Sequence, residues 1–326
     1  MSENYSDYHP DVLGDEFEKM TLDFPDDYEG KVISTLIRRM AKSKSEKAVL
    51  YIHGFNDYFF QKELAVKFNQ NGYNFYALDL RKYGRSYLSH QKFNNVRSLE
   101  EYDDEINLAL QIIKSENNSQ TILMGHSTGG LITTNYVVNH SNSNLYHGLI
   151  CNSPFYKYNL NFVLRKTGIP LISFLGKYAP DISISGGFSE YYGYSLHQEK
   201  YGEWNYSLAW KPYIIPKINL SFIRAIHKAQ QNIKQNSTLK VPTLVMHSDK
   251  SIDENQWSEK FKKGDAVLNS KHIKEFANRL NGDITVSEIE CGMHDLVLST
   301  KPIREKVYHQ VFKWINNSFD KNHNYT

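Results

Sequence analysis

Residues 121–130 read Thr-Ile-Leu-Met-Gly-His-Ser-Thr-Gly-Gly. An apolar run, Ile122 to Met124, leads into the frame Gly125-His126-Ser127-Thr128-Gly129, and a helix-compatible stretch, Leu131 to Val138, follows. Strand, Gly-x-Ser-x-Gly and helix in succession describe a sharp turn that holds a serine hydroxyl exposed at a strand end. The turn is tight, so the flanking positions must be small, and Gly125 and Gly129 meet that need. A serine hydroxyl is a weak nucleophile. It needs an adjacent imidazole, itself oriented by a carboxylate. Where the serine sits on such a turn, the acid and then the histidine follow it along the chain. His294 fits the base: it lies in the loop Glu290-Cys291-Gly292-Met293-His294-Asp295, after the expected strand Ile284–Ile289. His247 comes too early, His140 ends a helix, and His272 falls on one.

Two carboxylates compete for the third place. Asp249 follows the apolar stretch Thr243–Met246, whereas Asp265 stands just ahead of a helix expected over His272–Leu280. In an uninterrupted pattern one helix and one strand separate the acid from the histidine, and the chain from Asp265 to His294 holds one such pair. Asp249 would need an extra excursion over Ser251–Gly264, so Asp265 is preferred and Asp249 is the alternative. Acyl transfer also needs donors aimed at the developing oxyanion. The backbone N–H of Thr128 is one expected donor, and that of Phe55, in His53-Gly54-Phe55, is the other. This chemistry requires no metal and no cofactor, and neither is expected.

These residues need a frame. Met20–Phe24 and Val32–Arg38 read as opening strands, followed by Ala48–Ile52, Asn74–Leu80, the strand before Ser127, and Leu149–Cys151. Lys62–Asn71 reads as a helix ending at Gly72. Ser98 with Glu101 forms a capping box for a helix whose Ile106, Ala109, Leu110 and Ile113 share one face. From Phe155 to about Lys240 the alternation stops. That stretch is punctuated by Pro170, Pro180, Pro212 and Pro216 and is rich in aromatics. Alternation resumes at Val241–Met246 and closes with a helix over Ile303–Phe319. Strands alternating with helices imply a mostly parallel sheet covered on both faces, with ligands at the carboxyl ends of the strands. His53-Gly54, Asp79-Leu80-Arg81, Ser127 and the loop after Met246 all fall at that edge.

The chain has 326 residues and a net charge of +2, so nothing points to a nucleic-acid surface. A spanning helix needs about 20 apolar residues in succession, and no run approaches that. The N-terminal residues, polar and without a basic or apolar segment, predict no signal peptide and a cytoplasmic location. Residues 1–15 are expected to be loosely ordered. Cys151 and Cys291 are expected as buried, reduced thiols.

Together, His53-Gly54-Phe55, Asp79-Leu80-Arg81 with Gly84-Arg85-Ser86, Gly125-His126-Ser127-Thr128-Gly129-Gly130 and Gly292-Met293-His294 make the chain resemble an α/β-hydrolase. The group it resembles is that of the monoacylglycerol lipases, lysophospholipases and serine aminopeptidases. One departure is Lys82-Tyr83, where the group has Gly-His. Another is the longer loop Ser248–Gly264. The resemblance implies a mostly parallel eight-stranded sheet flanked by helices, with a core of residues 1–154 and 241–326. It also implies that residues 155–240 form a cap inserted after the sixth strand. The implied activity is hydrolysis of carboxylic esters, monoacylglycerol-like, lysophospholipid-like or small, with a small-molecule acyl ester as partner. An aminopeptidase, with cap acids Glu190, Glu199 and Glu203 near its amine, and a hydrolase-fold binding protein are the alternatives. The stretch Leu220–Lys234 reads as a packed lid helix, with transient lipid contact by its apolar Ile223, Ile226 and Ala229 as the alternative.

Overall fold

Apolar residues run without interruption along the middle strands, which dictates a sheet buried on both faces. The computed structural model describes residues 5–14, 16–187 and 189–319. The central sheet contains β1 (Glu18–Asp27), β2 (Gly30–Arg39), β3 (Lys47–Ile52), β4 (Asn74–Asp79), β5 (Gln120–His126), β6 (Gly148–Asn152), β7 (Thr243–Ser248) and β8 (Ile284–Ile289). Their order is β1-β2-β4-β3-β5-β6-β7-β8. The pairs β1–β2 and β2–β4 are antiparallel, and all later pairs are parallel. Period-two alternation splits β3 cleanly: Ala48, Leu50 and Ile52 enter one core, Val49 and Tyr51 the other. Helices α1 (Lys62–Gln70) and α8 (Lys301–Phe319) cover the second face. Helices α2 (Asp103–Ser115), α3 (Thr128–Asn139), α6 (Leu220–Gln235) and α7 (Ser270–Ala277) cover the first.

The sequence reading needs correction at the amino end. A two-residue strand, His9–Pro10, pairs with Glu18 and Lys19 and adds a ninth strand to the sheet edge. Asp11 behind it is buried and accepts two hydrogen bonds from Arg85, at 2.7 and 2.8 Å. The described residues from Tyr5 to Gly14 are therefore tied to the sheet rather than loose, while 1–4 and 15 lie outside the described residues. The capping box is present, with Ser98 N–H donating to Glu101 at 2.9 Å, but it caps a 3-10 turn, Leu99–Tyr102, that leads into α2.

Between β6 and β7 the chain builds an insert. It holds α4 (Ile169–Tyr178), α5 (Tyr191–Leu196) and α6, with Ser183–Ile184 paired to Ile218–Asn219. Helix α6 buries Phe222, Ile223, Ile226, Ala229 and Ile233 against the sheet-covering core. Its apolar face is thus spent on packing, and the alternative of lipid contact there has no exposed surface to use. Helix α4 lies on α6 so closely that a side chain at Gly176 would run into the Leu220 carbonyl. Exposed apolar side chains cluster on α4 and the turn before it: Phe162, Val163, Leu171, Phe174, Leu175 and Tyr178.

Candidate active site

Strand β5 ends at His126 and α3 starts at Thr128, so Ser127 alone makes the turn. It adopts φ 52° and ψ −116°, a conformation that costs an ordinary residue free energy and persists only where its surroundings impose it. Those surroundings are visible. The Ser127 N–H donates to Asn152 O at 2.9 Å, and the Ser127 carbonyl accepts from Phe155 N–H at 2.9 Å. A side chain at Gly125 would strike the Gly129 carbonyl, and one at Gly129 would strike the carbonyls of Ile52 and His53. The small residues of the frame are small because backbone lies against them.

The structure brings three of the sequence-selected side chains into a row. Ser127 Oγ lies 2.9 Å from His294 Nε2, and His294 Nδ1 lies 2.9 Å from Asp265 Oδ2. All three are buried, Ser127 least at 8 % exposure. With Nδ1–H facing a carboxylate, Nε2 is left to accept the serine proton. The other Asp265 oxygen accepts from Val267 N–H at 2.8 Å and Leu268 N–H at 2.7 Å, which fixes the carboxylate plane. The long loop after β7 returns to Asp265 by a two-bond bridge: Asp265 N–H donates to Lys250 O and Ile252 N–H to Asp265 O. Asp249 is not in the row. Its Oδ1 accepts from Cys291 N–H at 2.8 Å and secures a left-handed residue, φ 57°, in the loop that carries His294.

The loop after β3 lies against the serine: a Cβ on Gly54 would sit 3.2 Å from Ser127 Cβ and 3.2 Å from His126 Cδ2. Phe55 follows directly and rests its ring on Phe222 at 5.0 Å. Thr128 is the first residue of α3, where backbone N–H groups have no partner within the helix and the helix dipole is positive. His53 donates from Nδ1 to Gly54 O and accepts Leu80 N–H at Nε2, joining the ends of β3 and β4. Burial holds the imidazoles of His53 and His126 below the ordinary histidine value, so both are neutral at pH 7. Asp79 accepts from Phe59 N–H and Arg85, and Arg81 pairs with buried Glu105. That string is scaffolding. Its departure from the Gly-His pattern also has a physical account: Lys82 takes φ 66° and buries its ammonium 2.7 Å from Asp27 and 2.9 Å from Glu29, in the turn between β1 and β2.

Several residues around the row carry no signal in the sequence. Asp295 accepts from Asn152 Nδ2 at 2.7 Å and from Gln61 Nε2 at 3.2 Å, holding the histidine loop to the end of β6 and the start of α1. Tyr192, from α5, accepts Asp295 N–H at 3.0 Å and sets its ring edge-on to His294 at 5.6 Å. Burial pushes its phenol well above the ordinary value, so it stays neutral. Among the described residues, Asp57, His126 and Asp295 are the one trio with ligand atoms close enough to share a cation, within 4.8 Å. The Lys211 ammonium already sits 2.8 Å from Asp57 Oδ1, and Asp295 is committed to amide donors, so the trio is a poor metal site. Cys151 and Cys291 are both free thiols, the first buried and the second half-buried.

The family described as serine aminopeptidase, S33, matches residues 43–300. The chain belongs to that family. No match was found among curated protein sequences. Solved structures of similar shape include a monoacylglycerol lipase from Paleococcus ferrophilus, at 17 % identity and a TM-score of 0.64, covering 87 % of this chain and 99 % of that one. A soluble variant of monoglyceride lipase from Saccharomyces cerevisiae, in complex with a substrate analogue, also has 17 % identity and a TM-score of 0.64. It covers 96 % of this chain and 94 % of that one. Est1E from Butyrivibrio proteoclasticus with bound ferulic acid, at 16 % identity and a TM-score of 0.57, covers 89 % of this chain and 97 % of that one. At such identities the likeness shows the α/β-hydrolase fold, which this S33 member shares. The matched span takes in Phe55, Ser127, Asp265 and His294. No helix among the described residues is long and apolar enough to cross a membrane.

Proposed function

We propose that this S33 member hydrolyses carboxylic esters through an acyl-enzyme, with Ser127 as nucleophile, His294 as base and Asp265 as its orienting acid. The observation that carries the reading is the unbroken row of two 2.9 Å contacts from serine to imidazole to carboxylate. Ser127 Oγ attacks the ester carbonyl carbon while its proton passes to His294 Nε2. Asp265 stabilises the imidazolium. The oxyanion is held by the N–H groups of Phe55 and Thr128. Collapse expels the alcohol, which takes the proton from Nε2. Water then repeats the sequence on the acyl-enzyme, releasing the acid and regenerating the serine.

Residues 155–240 act as a cap on this site, and the substrate is a lipid-like monoacyl ester. The exposed apolar side chains of α4 support an amphipathic substrate and transient lipid contact, and two of the similar structures are monoacylglycerol lipases. The family's printed description favours a second reading, an aminopeptidase. It needs an acid for the substrate amine, and of Glu190, Glu199 and Glu203, Glu203 is already paired with Arg304.

Fluorophosphonate labelling and a p-nitrophenyl ester series test the reading. Ser127→Ala should abolish labelling and lower kcat by on the order of 10⁴–10⁶. Asp265→Asn should cost about 10⁴ in kcat, and Asp249→Asn much less. Unchanged ester turnover in Ser127→Ala would sink the proposal. Preference for aminoacyl arylamides over esters would favour the aminopeptidase. Failure of the wild type to label would leave a binding protein.

A further inference from the structure

The insert does more than lie over the sheet edge. Its segment from Ser207 to Pro212 grips the loop that carries Phe55 at three successive residues. Asn56 Nδ2 donates to Pro212 O at 3.0 Å, Asp57 Oδ1 accepts from Lys211 Nζ at 2.8 Å, and Tyr58 OH accepts Ser207 N–H at 2.7 Å. Trp210 packs edge-on to Tyr58 at 5.1 Å. The middle contact is an ion pair in the interior: Asp57 is 1 % exposed and Lys211 9 %. Removing one partner of such a pair leaves an uncompensated buried charge, so the pair acts as a unit.

Two features make this grip relevant to chemistry. Asn56, between Phe55 and Asp57, is held at φ 52°, a conformation that needs enforcement. Gly54, on the other side of Phe55, lies close against Ser127. The Phe55 N–H is therefore fixed between a contact with the nucleophile turn and a buried ion pair to the insert.

We propose that Lys211 is a positioning residue: its ammonium, through Asp57, holds the Phe55 N–H in register with the carbonyl that Ser127 attacks. The proposal rests on the serine-hydrolase reading of the site. An insert that is displaced takes Lys211 with it, so oxyanion stabilisation is complete only when the insert is seated. Misplacing a donor by about 1 Å costs on the order of 10²-fold in rate, comparable with losing one oxyanion donor.

The test compares wild type, Lys211→Met, Lys211→Arg and the neutral pair Lys211→Met with Asp57→Asn. Active sites are titrated with a fluorophosphonate, and kcat and KM are measured per titrated site on a short p-nitrophenyl ester. Affinity for a trifluoromethyl ketone, which forms an oxyanion adduct, is measured in parallel. Lys211→Met should lower kcat about 10²-fold with KM nearly unchanged, and should weaken the ketone by a similar factor. Lys211→Arg should recover most of both. The neutral pair, which folds without an orphaned charge, should stay as slow as Lys211→Met and carries the test if the single variant does not fold. A merely structural ion pair would lower the titrated fraction and leave kcat per site intact, which would overturn the proposal. Restoration of kcat in the neutral pair would overturn it too. Absence of labelling in wild type would instead overturn the reading of Ser127.

Discussion

Helices α4 and α6 are neighbours in the insert, both rich in apolar residues, and their fates are opposite. Helix α6 carries its apolar residues on one face, and that face is buried against the core. Helix α4 carries apolar residues on both its buried and its exposed sides. Ile169, Ser173 and Gly176 are buried, while Leu171, Phe174, Leu175 and Tyr178 face outward. Basic Lys166 and Lys177 lie over the exposed rings of Phe162 and Tyr178. An amphipathic stripe marks a helix that already has its partner. An apolar helix with its outer face uncovered still lacks one.

Three variants sharpen or break this contrast. Ile226→Ala, in the buried stripe of α6, should destabilise the protein by about 2–5 kcal/mol, read as a lower urea midpoint. Gly176→Val should cost about 1–3 kcal/mol, because a side chain there meets the Leu220 carbonyl and must push α4 off α6. Phe174→Ser should change stability by no more than about 0.5 kcal/mol. It should nonetheless slow hydrolysis of a micellar long-chain ester while a short soluble ester is turned over as before. A Phe174→Ser loss as large as that of Ile226→Ala would show that α4 is packed in solution, and the contrast would fail.

The site was legible in the sequence where backbone geometry restricts residue type. Only small residues fit beside Ser127, so Gly125 and Gly129 stood out, and strand and helix spacing then led to His294 and to Asp265 over Asp249. The ties that hold the row were not legible. Lys211 and Asp57 are 154 residues apart, and nothing in the type of either announces the other. The aromatics of the insert have no period because they pack on each other and on the loop after β7: Tyr194 on Tyr213, His197 on Tyr206, Tyr191 on Phe261. For helix α6, amphipathic spacing says that a face is apolar and not what covers it, so packing and lipid contact both stayed open until the structure showed the face packed. The order in residues 5–14 was missed because its ties, the pairing of His9–Pro10 with Glu18 and Lys19 and the two bonds from Arg85 to Asp11, join segments whose residue types do not announce each other.

The loop after β7 carries Trp257, stacked on Tyr201 at 3.6 Å. Trp204 donates to Leu298 O, and Trp210 packs on Tyr58. Three of the four tryptophans in the chain therefore sit on the seam between the insert and the rest, and the fourth, Trp314, lies in the core. The molecule carries its own fluorophores at the place where an opening would occur. Emission intensity and quencher access would report that motion in the wild-type chain, with no label attached and Trp314 as the silent background.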